Sequence, residues 1–263
     1  MGSTGKAGAG QGGQLPPPEP PEKKQKGLDG NATIQEVKAY YKDNFKVDIP
    51  DNIAEKLGRY NMIESAQQLD KLFSMLPEEA KQFIPELKMT FNAHGGAYAS
   101  ASYTDNGLNV NKNFFGKGRH DKLKEQYEQD VKSKWHPDGT NYADILVHEM
   151  AHHIEYNLTK NKLVGNNNPF GKSFSTIISW NDQVYSKQVV EEAYKDMKKA
   201  GEANGMTTKQ ARLSISRYAD VKKGGKQNYH ETIAEAVADI VRNGDKAKPF
   251  SKHVWNNFTA LMK

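Results

Sequence analysis

Between Asn141 and Glu155 the chain sets two histidines, His148 and His152, four residues apart inside a largely apolar run. On a helix, residues at that spacing lie about 40° apart around the axis, so both rings can reach one ion. Leu146, Val147, Met150 and Ile154 form an apolar stripe on the other side. Only a fold that packs one face of this helix and opens the other onto a cleft accommodates both demands. Glu149 lies about 100° round from His148, near anything the histidines hold but badly set to ligate it, which suits a general base. Asn141 is the expected N-cap, with Asp144 at the third helical position. The competing reading is a core helix with incidental histidines, so a third ligand is needed to choose.

The chain of 263 residues has no cysteine, which excludes disulfides and thiolate metal sites and leaves histidine and carboxylate as the strong ligands. Glu231-Thr-Ile-Ala-Glu235-Ala-Val-Ala-Asp239 reads as a second helix, with Glu231 and Glu235 on one face and Ile233, Val237, Ile240 and Val241 opposite. Ala234 and Ala238 flank the carboxylates and would let this helix approach the histidine helix closely. Glu231 can then supply the third ligand. Glu235, one turn on, can accept a hydrogen bond from the distal nitrogen of a liganding imidazole and so fix its tautomer. Taken alone, these carboxylates would be a solvated acidic face; the histidine pair favours the metal reading. Two histidines and one carboxylate suit one zinc ion per chain, and the same set with open positions also suits iron.

Elsewhere the pattern indicates an α+β domain over 31–263 preceded by a Gly-, Pro- and Lys-rich tail, 1–30, too poor in apolar side chains to fold. Within the domain, 31–86 reads as helical, with Val37, Tyr40 and Tyr41 on one face and Leu69, Leu72, Phe73 and Leu76 on another. The span 87–158 should hold a short antiparallel sheet and the histidine helix. Its strands are Leu87–Phe91, Ala97–Tyr103 and Leu108–Asn111, with Gly95-Gly96 and Asp105-Asn106-Gly107 as hairpin turns. Residues 121–134 read as a charged surface helix or lid. The span 159–263 reads as helical, with Phe170, Phe174 and Trp180 in a long connection and a helix from Val189 to Ala200.

No apolar run reaches the roughly 18 to 20 residues of a membrane span, and no apolar region follows a basic one at the start. Neither a membrane partner nor classical secretion is expected. The net charge of +5 is spread over scattered lysines without interleaved aromatic residues, so it reads as a solvated surface and not as a nucleic-acid face. His153, about 140° round from His148, is a packing residue on this reading. His94, His120, His136, His230 and His253 lack a partner at ligand spacing, though His230 stands beside Glu231.

The two motifs, His148-Glu149-x-x-His152 and Asn228-x-x-Glu231-x-x-Ala234-Glu235-Ala236, resemble the zincin-like, glutamate-liganded metallopeptidase domain of the anthrax lethal factor group. More closely still, they resemble the C-terminal domains of phage minor head, or head-morphogenesis, proteins. The resemblance spans about 31–263, with the Ala97-Tyr98-Ala99-Ser100 strand and the Pro137-Asp138-Gly139-Thr140 run, and leaves the tail out. It implies a zinc held by His148, His152 and Glu231, Glu149 as base and proton shuttle, and a tyrosine that stabilises the oxyanion. In the family that tyrosine sits in a Ser-x-Tyr context a few residues before an Asn and the third ligand. Ser216-Arg217-Tyr218 and Asn228 match, but 222–227 look like an insertion that lengthens the gap, which leaves Tyr229 as the fallback.

The resemblance implies a zinc endopeptidase acting on a protein or peptide, cytoplasmic or virion-associated, with the sheet edge available to hold substrate backbone as an added strand. Two other readings stay open: a phage structural polypeptide, whose domain is non-proteolytic or self-processing among other phage structural proteins, and a toxin-like effector that cleaves one host protein.

Overall fold

The computed structural model describes residues 27–93, 95–163 and 180–263. Residues 1–26 of the expected tail, His94, Phe170 and Phe174 lie outside the described residues. The helices are α1 (Ile34–Phe45), α2 (Asp51–Ala54), α3 (Arg59–Met75), α4 (Lys112–Phe115), α5 (His120–Lys132), α6 (Ile145–Leu158), α7 (Val184–Lys199), α8 (Thr208–Ile215), α9 (Tyr229–Asn243) and α10 (Pro249–Ala260). The strands are β1 (Val47–Asp48), β2 (Leu87–Asn92), β3 (Ala99–Ser102) and β4 (Gly107–Asn111), with a separate small pair, β5 (Lys222–Lys223) and β6 (Lys226–Gln227). The architecture is therefore α+β and mainly helical. No helix among the described residues is long and apolar enough to cross a membrane.

The sheet is mixed, which corrects the antiparallel expectation. Its order is β1-β2-β4-β3, with β1 and β2 parallel, β2 and β4 parallel, and only β3 and β4 antiparallel. The turn at Asp105-Asn106-Gly107 makes its hairpin, with Asn106 at φ 50°. The Gly95-Gly96 break instead serves a crossover that carries the chain past β4 before β3 begins. Burial accounts for this order: Leu108 and Val110 are fully buried and stand beside Met89 and Phe91 of β2, so β4 takes the interior place. The small and polar side chains of β3 tolerate the edge.

α6 occupies the centre. Its first turn is tightened into a 3-10 turn, Tyr142–Asp144, held by the expected capping box in which Asn141 and Asp144 satisfy each other's backbone groups. Beyond the apolar stripe, Glu149, His152, His153 and Glu155 are buried too, so the helix is enclosed on nearly every side. The sequence suggested one packed face; the helix is instead packed between the sheet and α9.

α6 and α9 run antiparallel and are fastened along their length. At one end Arg242 Nε donates to Asp144 Oδ2 at 2.8 Å; at the other His230 Nδ1 meets Glu155 Oε1 at 2.9 Å. Ala234 and Ala238, both buried, allow the close approach. The run leading into α6 is tied to the far end of α9, where Asn243 Nδ2 donates to the Asp138 carbonyl at 2.7 Å. Gly139 adopts φ 82°, and a Cβ there would stand 2.5 Å from Asn243 Oδ1, so this turn requires glycine.

Candidate metal centre

The antiparallel register brings the two motifs together between the end clamps. His148 Nε2 lies 3.0 Å from Glu231 Oε2, His152 Nε2 lies 3.1 Å from the same oxygen, and the two imidazole nitrogens are 3.1 Å apart. Among the described residues this is the group of histidine and carboxylate side chains that could hold a metal ion.

The donor set fits a metal on its own chemistry. His148 Nδ1 stands 3.0 Å from Glu235 Oε1, which fixes the proton of a neutral ring on Nδ1 and leaves a lone pair on Nε2. Three acceptor atoms then converge with few protons to share, and a cation satisfies all of them. Ligands at tetrahedral angles, about 2.0 to 2.1 Å from zinc, stand about 3.3 Å apart, close to the spacing found here.

The electrostatics agree. Burial disfavours charge on His148, but the Glu231 and Glu235 carboxylates outweigh it and hold its pKa well above the usual value. Burial likewise raises Glu231, and His152 and His148 overcome it to hold the carboxyl well below its normal range. The site thus keeps an ionised carboxylate and attracts positive charge, whether a proton or a metal.

Glu235 does more than the sequence suggested. Its Oε1 also meets His136 Nδ1 at 3.2 Å, and its Oε2 accepts from Ser216 Oγ at 2.8 Å. Burial raises its pKa, but His136 and His148 prevail and bring it down to about 2. Asn228 Nδ2 donates to Glu231 Oε1 at 3.2 Å and steadies that carboxylate from its own helix start. His152 Nδ1, in contrast, is buried without a partner.

Glu149 is buried and lines a cavity beside His148. Burial raises its pKa, with His148 and His152 pulling the other way. A carboxylate so placed is a stronger base than an exposed one. Tyr218 lines the same cavity, its ring 5.8 Å from that of His148. Burial, followed by the charges of Glu231, Glu149 and Glu235, raises its hydroxyl, so it stays a donor.

The apparent insertion does not displace Tyr218. Residues 222–227 form the β5–β6 hairpin, turned by Gly224 and Gly225 with positive φ, and Asn228 N closes its base on the Val221 carbonyl at 3.0 Å. The extra residues fold outward and leave Tyr218 next to the glutamate helix. Tyr229 faces elsewhere, under the Arg212 guanidinium at 5.6 Å.

Of the other histidines, His153 is fully buried against the Gly107 carbonyl at 3.1 Å, as packing requires. His230 does not line the cavity; it stacks on Trp180 with ring centres 3.8 Å apart. His136 is the neighbour of Glu235 that spacing missed. It precedes the Pro-Asp-Gly-Thr run and reaches Glu235 through the tertiary fold alone, so no local periodicity could mark it.

No family model, curated protein or solved structure matches this chain.

Proposed function

We propose that the chain is a zinc-dependent endopeptidase of the zincin type, with His148, His152 and Glu231 as metal ligands. The observation that supports this reading best is the convergence of three donor atoms within 3.1 Å of one another beside a buried carboxylate that ligates nothing. When bound, zinc would supply a Lewis acid that lowers the pKa of water towards about 7 and polarises a carbonyl.

The chain's own residues do the rest. Glu149 accepts the proton of the attacking water and returns it to the leaving amine nitrogen. Tyr218 donates a hydrogen bond to the carbonyl oxygen as negative charge develops there. β3 is the sheet edge next to the cavity, so an extended peptide can pair with its free side and lay a scissile bond against Glu149. The motif resemblance to the lethal factor group and to phage minor head domains favours protein substrates over small molecules.

Metal analysis of the purified chain and of His148→Ala/His152→Ala is the first test. We expect about one zinc per wild-type chain and none in the variant. Glu149→Gln should keep its zinc and lose peptide hydrolysis by at least about a hundredfold, the contribution of a positioned base. Hydrolysis at the wild-type rate by Glu149→Gln would sink the assignment.

A further inference from the structure

A cavity opens beside His148 and Glu149. Its walls are aromatic: Tyr98, Tyr127, Trp135, His136 and Tyr218 line it, with Tyr127 and His136 stacked in parallel at 4.6 Å. Besides Glu149 and Glu235, one further acidic residue lines it: Asp130, half-buried near the end of α5.

Asp130 is short of partners. Its Oδ2 accepts from the Tyr98 hydroxyl at 2.5 Å, and its Oδ1 has only a long contact, 3.4 Å, from Gln126 Nε2. Among the described residues no lysine, arginine or histidine forms an ion pair with it, although such residues abound on the surface of a chain with net charge +5. Arg217 lies over the Trp135 ring at 4.7 Å and forms no ion pair with Asp130. Trp135 itself is 41% exposed, a large aromatic surface left open at the mouth.

An anionic end and π-faced walls together select for positive charge. Aromatic faces attract cations, and a planar guanidinium can lie against them while its edge donates to a carboxylate. The charge of an approaching cation meets a half-buried carboxylate in a partly water-excluded space, where the attraction is stronger than on an open surface.

We infer that this cavity is the specificity pocket of the site and takes an arginine or lysine side chain of the substrate next to the scissile bond. The inference rests on the peptidase reading for its meaning but has a readout independent of catalysis. Asp130→Asn retains an oxygen to accept from Tyr98 and removes only the charge.

The test is calorimetric binding of N-acetyl-arginine amide and of its neutral isostere, N-acetyl-citrulline amide, to the full chain with and without zinc. We expect the wild type to bind the arginine probe at least about tenfold more tightly, and Asp130→Asn to abolish that preference, the behaviour of a charge-assisted contact. Equal affinity for the two probes, a preference that persists in Asp130→Asn, or no binding of either at millimolar concentration would each overturn the inference. Zinc content and hydrolysis are read separately. A chain that selects arginine through Asp130 yet holds no zinc would sink the peptidase reading and leave the cation pocket in place.

Discussion

At the level of single side chains, Glu235 meets three partners at once. It orients His148, meets His136 and takes the Ser216 hydroxyl, all while buried. Glu235→Gln keeps the size of the side chain and removes the charge that holds the His148 proton on Nδ1. Zinc affinity should fall by about ten- to a hundredfold, the usual cost of losing a ligand's outer partner. A chelator competition titration measures it; unchanged affinity would reduce Glu235 to a packing residue. The pairing of Glu235 with a histidine was legible in the sequence, because both helices have a fixed pitch and their ligand faces could be drawn separately. Which nitrogen, which histidine and which further partners was not. Ser216 and His136 reach Glu235 from loops, whose paths follow from contacts with the rest of the chain and not from any repeat in their own residues.

Between elements, the site depends on the antiparallel register of α6 and α9, and Arg242 guards it from the far end. Asp144 is fully buried, and burial raises its carboxyl while Arg242 opposes that shift. Arg242 also donates to Asn141 Oδ1 at 2.7 Å, so it braces the α6 cap as well. Arg242→Leu strands a buried carboxylate and should lower the stability of the metal-free chain by about 3 kcal/mol. Urea melts would show it, and adding Asp144→Asn should return part of the loss; equal stability of Arg242→Leu and the wild type would mean that the pair is replaceable. The helices were readable because their apolar stripes have the right period. The sheet order was less so: the glycine pair at 95–96 has hairpin composition, yet β4 pairs with β2 in parallel. Strand order is decided by which strand can bury both faces, a property of the assembled molecule that turn residues do not report.

Across the whole molecule α6 joins two halves, with the histidines at 148 and 152 turned to α9 and His153 turned to the sheet, where Nε2 meets the Gly107 carbonyl at the start of β4. This third histidine couples the assembly to pH. Burial, only partly opposed by the Gly107 hydrogen bond, lowers its pKa from 6.5 to about 4. The unfolded chain therefore binds the proton more readily than the folded chain between these two values, and stability must rise with pH across that window. The contribution is fully present above pH 6.5 and is lost as the pH falls towards 4, up to about 3 kcal/mol in all. His153→Gln, which can still donate to Gly107, removes the titration. Urea denaturation with a chelator present, so that loss of metal does not contribute, should give stability curves for the wild type and His153→Gln that diverge progressively below pH 6.5, with the wild type losing more. Parallel curves would mean that the folded chain accommodates the imidazolium, and that the seam between helix and sheet is looser than the buried contact implies.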